Sequence, residues 1–368
     1  MIIGVLQEPE FENRVSLLPE NVPSLIKKGV TVFVEKNAGI RAYCSDEDYT
    51  KAGASIHSKE ELANSADIIL SIHHPSIELR SSLIAIGIYQ PLYHAPLMRD
   101  WAKKNITVFS LDMLPRSTRA QSMDVLSSQA NIAGYKAVLL AANSYTRYFP
   151  MFMTAAGSIP PAKVLILGAG VAGLQAIATA RRLGAVVEVF DTRPAVKEEV
   201  MSLGAKFVEV EGAADASKAG GYAVEQTEEF LRKQKARIAE SIAKADIVIT
   251  TAQIPGKNAP ILVTTEMIQA MKKGSIIIDL AAATGGNTDL TKNNETVNFN
   301  GVSIIGNSAL PSSMPYDASK MYGKNVLNFL QLIIDKEGKL NLNFEDDLVK
   351  GSCITHDGQV VNERVSNI

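Results

Sequence analysis

Cysteine is almost missing from this 368-residue chain, which holds only Cys44 and Cys353. Two thiols allow at most one disulfide, which is no framework. They read as small buried hydrophobes of a protein kept in a reducing compartment. An excess of charge is missing too: 37 Lys and Arg stand against 39 Asp and Glu, a net charge of −2. That balance argues against nucleic acid or an anionic membrane as the main partner. No apolar run reaches the roughly 18–20 residues of a membrane span. The opening Met1-Ile-Ile-Gly-Val-Leu-Gln has no basic segment and reads as a strand, so no signal peptide is expected. Histidine is scarce, with five in all. No HExxH, CxxC or GxSxG pattern occurs, which leaves metal catalysis and a serine nucleophile unsupported. The adjacent His73 and His74 read as surface or structural residues. No low-complexity tail is visible.

What is present is a chain with 46% apolar residues, long enough for two domains. Short apolar runs at residues 30–34, 67–72 and 106–110 read as buried strands. Amphipathic stretches at 19–28 and 96–104 lie between them. A long helical pattern covers 117–145, and a Gly/Pro-rich break follows at 154–161. A second series of strands is expected at 164–167, 186–190, 206–210, 246–251 and 275–280, with 302–305 as an extension. An Ala/Gly-rich stretch at 212–224 reads as a mobile surface loop. Residues 317–335 form a last helical pattern. Strands alternating with helices imply mostly parallel sheets. The expectation is therefore an α/β protein with two Rossmann-like domains separated by a cleft. The first would be discontinuous, residues 1–126 with 307–368, and the second would span 127–306.

The most informative motif is Gly168-Ala-Gly170-Val-Ala-Gly173. It follows the apolar run Lys163-Val-Leu-Ile-Leu and opens an Ala-rich helical pattern over 171–183. Gly168 permits a tight turn, Gly170 lets the backbone approach a pyrophosphate, and Gly173 lets helix and strand pack closely. The helix start adds unpaired N–H groups, including those of Val171 and Ala172. The next strand ends in Phe190-Asp191, 18 residues beyond Gly173. A carboxylate there can accept hydrogen bonds from an adenosine ribose and repel a 2′-phosphate, which favours NAD(H) over NADP(H). Thr192 and Arg193 follow it, and Arg193 introduces a cation near the same point. Ligands of open α/β sheets lie beyond the carboxyl ends of the strands, which brings in Gln253, Gly256, Leu280, Gly285 and Gly286. For any one of these an ordinary strand-to-helix turn is an equally good explanation.

A second polar segment runs from Arg116 to Gln129. On a continuous helix, Gln121, Asp124 and Ser128 fall at i, i+3 and i+7 on one face, with Ser127 beside them. Arg116 and Arg119 place cations at a helix start, where the macrodipole disfavours them. That hints at a carboxylate or a ligand as partner. A solvated face capped by Ser117 is the competing reading.

The segment Arg116-Ser-Thr-Arg-Ala-Gln-Ser-Met-Asp-Val-Leu-Ser-Ser-Gln-Ala-Asn-Ile-Ala-Gly-Tyr resembles the NAD(H)-binding component of proton-translocating nicotinamide nucleotide transhydrogenase. So do Phe149-Pro-Met-Phe-Met-Thr-Ala-Ala-Gly-Ser-Ile-Pro-Pro-Ala and the stretch from Gly170 to Val187. Gly220-Gly-Tyr222-Ala matches the tip of that family's mobile loop. The resemblance runs from Glu8 to about Val361. It implies direct hydride transfer from NADH to NADP⁺ held by a separate NADP(H)-binding component, with a membrane proton-channel component coupling the redox step to proton movement. It also implies a homodimer, in the cytoplasm and peripherally attached to the inner membrane through its partners. By the same resemblance Arg116 contacts the nicotinamide side, Gln121, Asp124 and Ser127 hold the carboxamide and ribose region, and Tyr222 closes over the adenosine end.

Alanine dehydrogenase shares the fold and the run Asn13-Arg14-Val15. The positions where that family carries a lysine, a histidine and an aspartate read here as Ser71, Pro91 and Ala283, with His94 nearby but out of register. A dehydrogenase that makes an imine needs a proton acceptor near the reacting carbon. Ala283 also departs from the acidic residue expected of a transhydrogenase, but hydride exchange between two nicotinamides requires no proton carrier. Two alternatives stay open at this point: an NAD-dependent amino acid dehydrogenase of the alanine type, and a catalytically silent NAD-binding regulatory subunit.

Overall fold

The computed structural model describes residues 1–210 and 227–368. The chain divides into two compact units, Met1–Gln129 with Pro311–Ile368, and Ala130–Leu310. Among the described residues no helix is long and apolar enough to cross a membrane.

The first unit is built on strands β1 (Ile2–Val5), β2 (Thr31–Glu35), β3 (Ser55–His57), β4 (Ile68–Leu70), β5 (Ile84–Gly87) and β6 (Thr107–Ser110), closed by β16 (Cys353–His356) and β17 (Gln359–Val360). Their order across the sheet is β17-β16-β6-β5-β4-β1-β2-β3. The six strands from β1 to β6 pair in parallel, while β16 and β17 add an antiparallel edge. Strands buried on both faces read as unbroken apolar runs, and alternation then assigns each residue to a face. Ile68, Leu70, Ile84 and Ile86 join one core, and Ile69 and Ala85 join the other. The helix Pro315–Ile333 packs Tyr322, Val326, Phe329, Leu330 and Ile333 into the first of these. The helix Ala95–Lys103 buries Ala95, Met98 and Trp101 in the second, as its apolar spacing dictates.

The second unit carries a hairpin, β7 (Phe152–Thr154) and β8 (Gly157–Ile159), and a seven-stranded sheet. The sheet comprises β9 (Lys163–Leu167), β10 (Val186–Phe190), β11 (Lys206–Phe207), β12 (Ile247–Thr250), β13 (Ile276–Asp279), β14 (Thr296–Phe299) and β15 (Val302–Ile305). The order is β11-β10-β9-β12-β13-β15-β14, parallel except for β14. Alternation again sorts the faces: Val164, Ile166, Ile247 and Ile249 lie in one core, Leu165, Leu167 and Val248 in the other.

Three local expectations need correction. Residues 117–145 do not form one helix. A 3-10 helix at Thr118–Met123 stops at Asp124, and the α-helix Val125–Ser144 starts after it. The Gly/Pro-rich break at 154–161 is mostly the β7–β8 hairpin, turned at Gly157, whose φ of 131° suits glycine. Strands β3, β5, β14, β16 and β17 went unforeseen, β14 because its exposed edge position leaves it polar and alternating rather than apolar. The Ala/Gly-rich stretch 212–224, with Tyr222, lies outside the described residues.

Candidate functional site

The glycine turn sits where β9 hands over to the helix Val171–Arg182. Gly168 has a φ of 107°, and a Cβ there would meet the Thr251 hydroxyl at 2.4 Å. A Cβ on Gly173 would lie 1.9 Å from the carbonyl oxygen of Gly168. A Cβ on Gly170, by contrast, would have nothing within 4 Å. Two of the glycines are therefore demanded by the protein's own packing. The third leaves a bare backbone facing open space. Gly170 is the N-cap residue, and no side chain caps the helix. A helix start with uncapped N–H groups and no intervening Cβ suits a diphosphate. Val171 is exposed beside it, while Gly173 is buried.

Asp191 stands just beyond the end of β10 and is tied back to this turn. Its Oδ2 accepts the N–H of Ala169 at 2.7 Å and an Nη2–H of Arg193 at 2.8 Å. Its Oδ1 accepts the backbone N–H of Arg193 at 2.8 Å and its Nε–H at 2.9 Å. The Asp191 carboxylate pushes the pKa of the Arg193 guanidinium further up. Thr192 lies half-buried between them.

The loops after β12 and β13 complete this end of the second sheet. Thr251 donates to the carbonyl of Gly168 at 3.1 Å. Gln253 donates to the carbonyl of Leu280 at 3.1 Å, so these two expected residues meet. Gly256, with a φ of 75°, turns the first loop, and Gly285 and Gly286, at 101° and 84°, turn the second.

Sequence reasoning missed the two residues that lock these loops, Asp279 and Asn287, both fully buried. Asp279 accepts from the amides of Ala281 and Asn287 and from the Thr291 hydroxyl, at 2.9, 2.6 and 2.6 Å. Asn287 exchanges hydrogen bonds with both backbone groups of Ala252 at 3.1 and 2.9 Å and donates to the Pro260 carbonyl at 2.8 Å. An acid that ends the apolar run Ile276-Ile-Ile-Asp279 was the available signal.

The other expected residues belong to the first unit. Asp124 accepts the Ser127 N–H at 2.8 Å and the Ser127 hydroxyl at 2.6 Å, which caps the helix that starts at Val125. Gln121 lies on the preceding 3-10 helix and is exposed. The single-face spacing of Gln121, Asp124 and Ser128 therefore does not exist, because the two helices are separate. Arg116 is exposed at the entry to the segment. The carboxylate partner anticipated for this cluster is internal in the case of Arg119, which ion-pairs with Asp346 and with Asp347.

Beyond the carboxyl ends of the first sheet lies a buried polar cluster. Glu8 accepts the N–H groups of Ile72 and His73 at 2.5 and 3.0 Å, and burial pushes its pKa up to about 7. Glu12 pairs with Arg14 at 2.6 Å and with His73 at 3.0 Å. Although its burial opposes ionisation, these partners hold its carboxyl well below the usual range. Arg14 also donates to Gln129 at 2.8 Å. The Ser71 hydroxyl is 2.9 Å from that of Tyr89, and Tyr322 donates to the Ser71 carbonyl at 3.1 Å. Buried tyrosines thus fill the space around Ser71. His94 starts the helix Ala95–Lys103, exposed, with its pKa lowered by partial burial and by His74. Ala283 is exposed on a 3-10 turn. No group of three or more metal-ligating side chains exists among the described residues.

Known proteins resemble the chain along nearly its whole length. Residues 4–133 match the family model for the alanine dehydrogenase/PNT N-terminal domain, and residues 137–363 match that for the C-terminal domain. The chain is 46% identical over 364 residues to an NAD(P) transhydrogenase alpha subunit polypeptide of Rhodospirillum rubrum, covering 95% of each chain. It superposes on the crystal structure of transhydrogenase from Sinorhizobium meliloti with a TM-score of 0.89 at 45% identity, over 98% of this chain and 100% of that one. Alanine dehydrogenase of Staphylococcus saprophyticus is more distant, 27% identical over 100% of this chain and 96% of its own. The chain belongs to the alanine dehydrogenase/PNT family, and within it stands nearer to the NAD(P) transhydrogenase alpha subunits than to the alanine dehydrogenases.

Proposed function

We propose that this chain is the NAD(H)-binding subunit of a transhydrogenase, passing hydride between NADH and NADP⁺ bound on a separate component. The observation that carries the reading is the bare, uncapped helix start at Gly170, with Asp191 fixed beside it. Gly168, Gly170, Val171, Ala172 and Gly173 would cradle the pyrophosphate. Asp191 and Thr192 would take the adenosine ribose, with Arg193 standing beside it and Tyr222 over the adenosine end. Gln253, Gly256 and Leu280 would flank the nicotinamide half. Arg116, Gln121, Asp124 and Ser127 would position the nicotinamide and its ribose.

With its pyrophosphate held at this turn, NADH would supply the hydride from its dihydronicotinamide, and the work of the protein would be to hold and orient that ring. Such an exchange releases no proton from a substrate carbon, so the site needs no general base. In keeping with that, Ser71, which stands where the alanine dehydrogenases carry a lysine, offers only a hydroxyl bonded to buried Tyr89. A membrane component would couple the transfer to proton translocation and place this subunit on the cytoplasmic face of the inner membrane. The homodimer finds support in Tyr148, Met151, Phe152 and Met153, exposed apolar side chains at and just before the β7–β8 hairpin.

The test is reconstitution. Mixed with a purified NADP(H)-binding component, the chain should reduce an NADP⁺ analogue from NADH in stopped flow. Binding of NADH without transfer would leave a silent regulatory subunit. Alanine-dependent NADH formation by the chain alone would replace the reading with that of an amino acid dehydrogenase.

A further inference from the structure

The Asp191 carboxylate is already saturated. It accepts four hydrogen bonds, all between 2.7 and 2.9 Å, and three of them come from Arg193. A carboxylate offers about four acceptor positions, so a ribose diol finds none vacant. The side chains of the pair are 6% and 17% exposed, so water competes little for either partner. The guanidinium fork also neutralises the negative charge that would repel a 2′-phosphate.

We propose that Arg193 is a specificity-determining residue that masks Asp191 and so sets how strongly the site distinguishes NAD(H) from NADP(H). This rests on the reading that the glycine turn binds NAD(H). A ribose diol can engage Asp191 only by displacing the guanidinium donors of Arg193. Once displaced, Arg193 becomes a cation beside the 2′ position. Arg193 therefore acts twice against discrimination: it competes with the ribose of NADH for Asp191, and it offers a counter-charge to the phosphate of NADPH. The backbone N–H groups of Ala169 and Arg193 still hold the carboxylate when the guanidinium leaves, so Asp191 keeps its place.

The experiment is calorimetric titration of the full chain with NADH and with NADPH, in wild type, Arg193→Ala and Arg193→Lys. Removing the guanidinium should raise the ratio of the NADPH Kd to the NADH Kd by about tenfold or more, a difference of about 1.4 kcal/mol. NADH affinity should hold or improve. Lysine, which keeps the charge but not the fork, should fall between, and it keeps the test alive if the alanine variant folds poorly. A ratio that stays constant while both affinities weaken together would overturn the inference, because it would make Arg193 a prop of the loop that serves either nucleotide. Wild-type chain that binds no NADH at all would overturn the parent reading instead.

Discussion

The amide and the hydroxyl of Ser127 both donate to the carboxylate of Asp124, at 2.8 and 2.6 Å. One pair of side chains thus begins the helix Val125–Ser144 and also supplies two of the groups proposed to hold the nicotinamide half. Any group that positions a ligand must itself be fixed, and a helix cap is a short route to that end.

Capping and positioning separate by substitution. Asp124→Ala should lower stability by about 1 kcal/mol, as loss of a helix cap does. Asp124→Asn keeps an oxygen for the Ser127 amide and should cost less than half of that. Both variants should lose hydride transfer. Urea denaturation together with stopped-flow transfer makes the check, and an asparagine variant with full transfer would reduce Asp124 to a cap.

Gly170 and Gly173 should part company in the same way. A methyl group at Gly170 meets nothing within 4 Å, so Gly170→Ala should keep its melting temperature and lose NADH binding. At Gly173 the added carbon would lie 1.9 Å from a backbone oxygen that no rotamer change can move. Gly173→Ala should cost about 1–3 kcal/mol in stability and lose binding as well. NADH titration beside thermal melts distinguishes them. Undiminished NADH binding by Gly170→Ala would remove the pyrophosphate from this turn.

Gln121 is exposed on its own 3-10 turn, so it carries little of the fold. Gln121→Asn shortens the side chain by one methylene and withdraws its amide. Hydride transfer should fall by an order of magnitude or more, with a small change in NADH Kd, as expected of a group that orients rather than anchors. Single-turnover kinetics at saturating NADH give the answer, and an unchanged rate would refute the positioning role.

Glu8 makes stability depend on pH. Burial raises its pKa from 4.5 to about 7, with Glu12, Arg14, Arg41 and His73 as its charged or titratable neighbours. Between those two values the folded chain keeps a proton that the unfolded chain has lost. Stability therefore falls as pH rises through that window, by up to about 3 kcal/mol. Glu12 acts in the opposite direction, since its depressed pKa adds stability above the unfolded value that is lost on acidification. Denaturation at pH 5.5 and pH 8 should show the Glu8 contribution, and Glu8→Gln should flatten it. Equal slopes in wild type and variant would mean that Glu8 does not titrate there.

Much of this protein was legible in one dimension. The apolar runs named β1, β2, β4 and β6 of the first sheet and β9, β10, β12, β13 and β15 of the second, because strands buried on two faces have no polar alternation to hide them; the equally buried β5 went unnamed. The glycine turn was legible because its constraints are local: a positive φ at Gly168 and a contact between Gly168 and Gly173, five residues apart. Asp191 followed from its place at the end of β10.

Whatever depended on distant partners was hidden. The break at Asp124 follows from capping, which competes with helix continuation and leaves the hydrophobic period unchanged. Arg119 read as a cation in search of a ligand until Asp346 and Asp347, more than 200 residues away, arrived beside it. Asp279 and Asn287 became the lock of two loops only when β12 and β13 lay side by side. The sequence by itself determined which segments must be buried and where a backbone could meet a phosphate, since both are properties of neighbouring residues. Only the tertiary structure decided which charges meet distant partners, as Arg119 meets Asp346 and Asp191 meets the Ala169 amide, because such pairs exist only once folding brings their segments together.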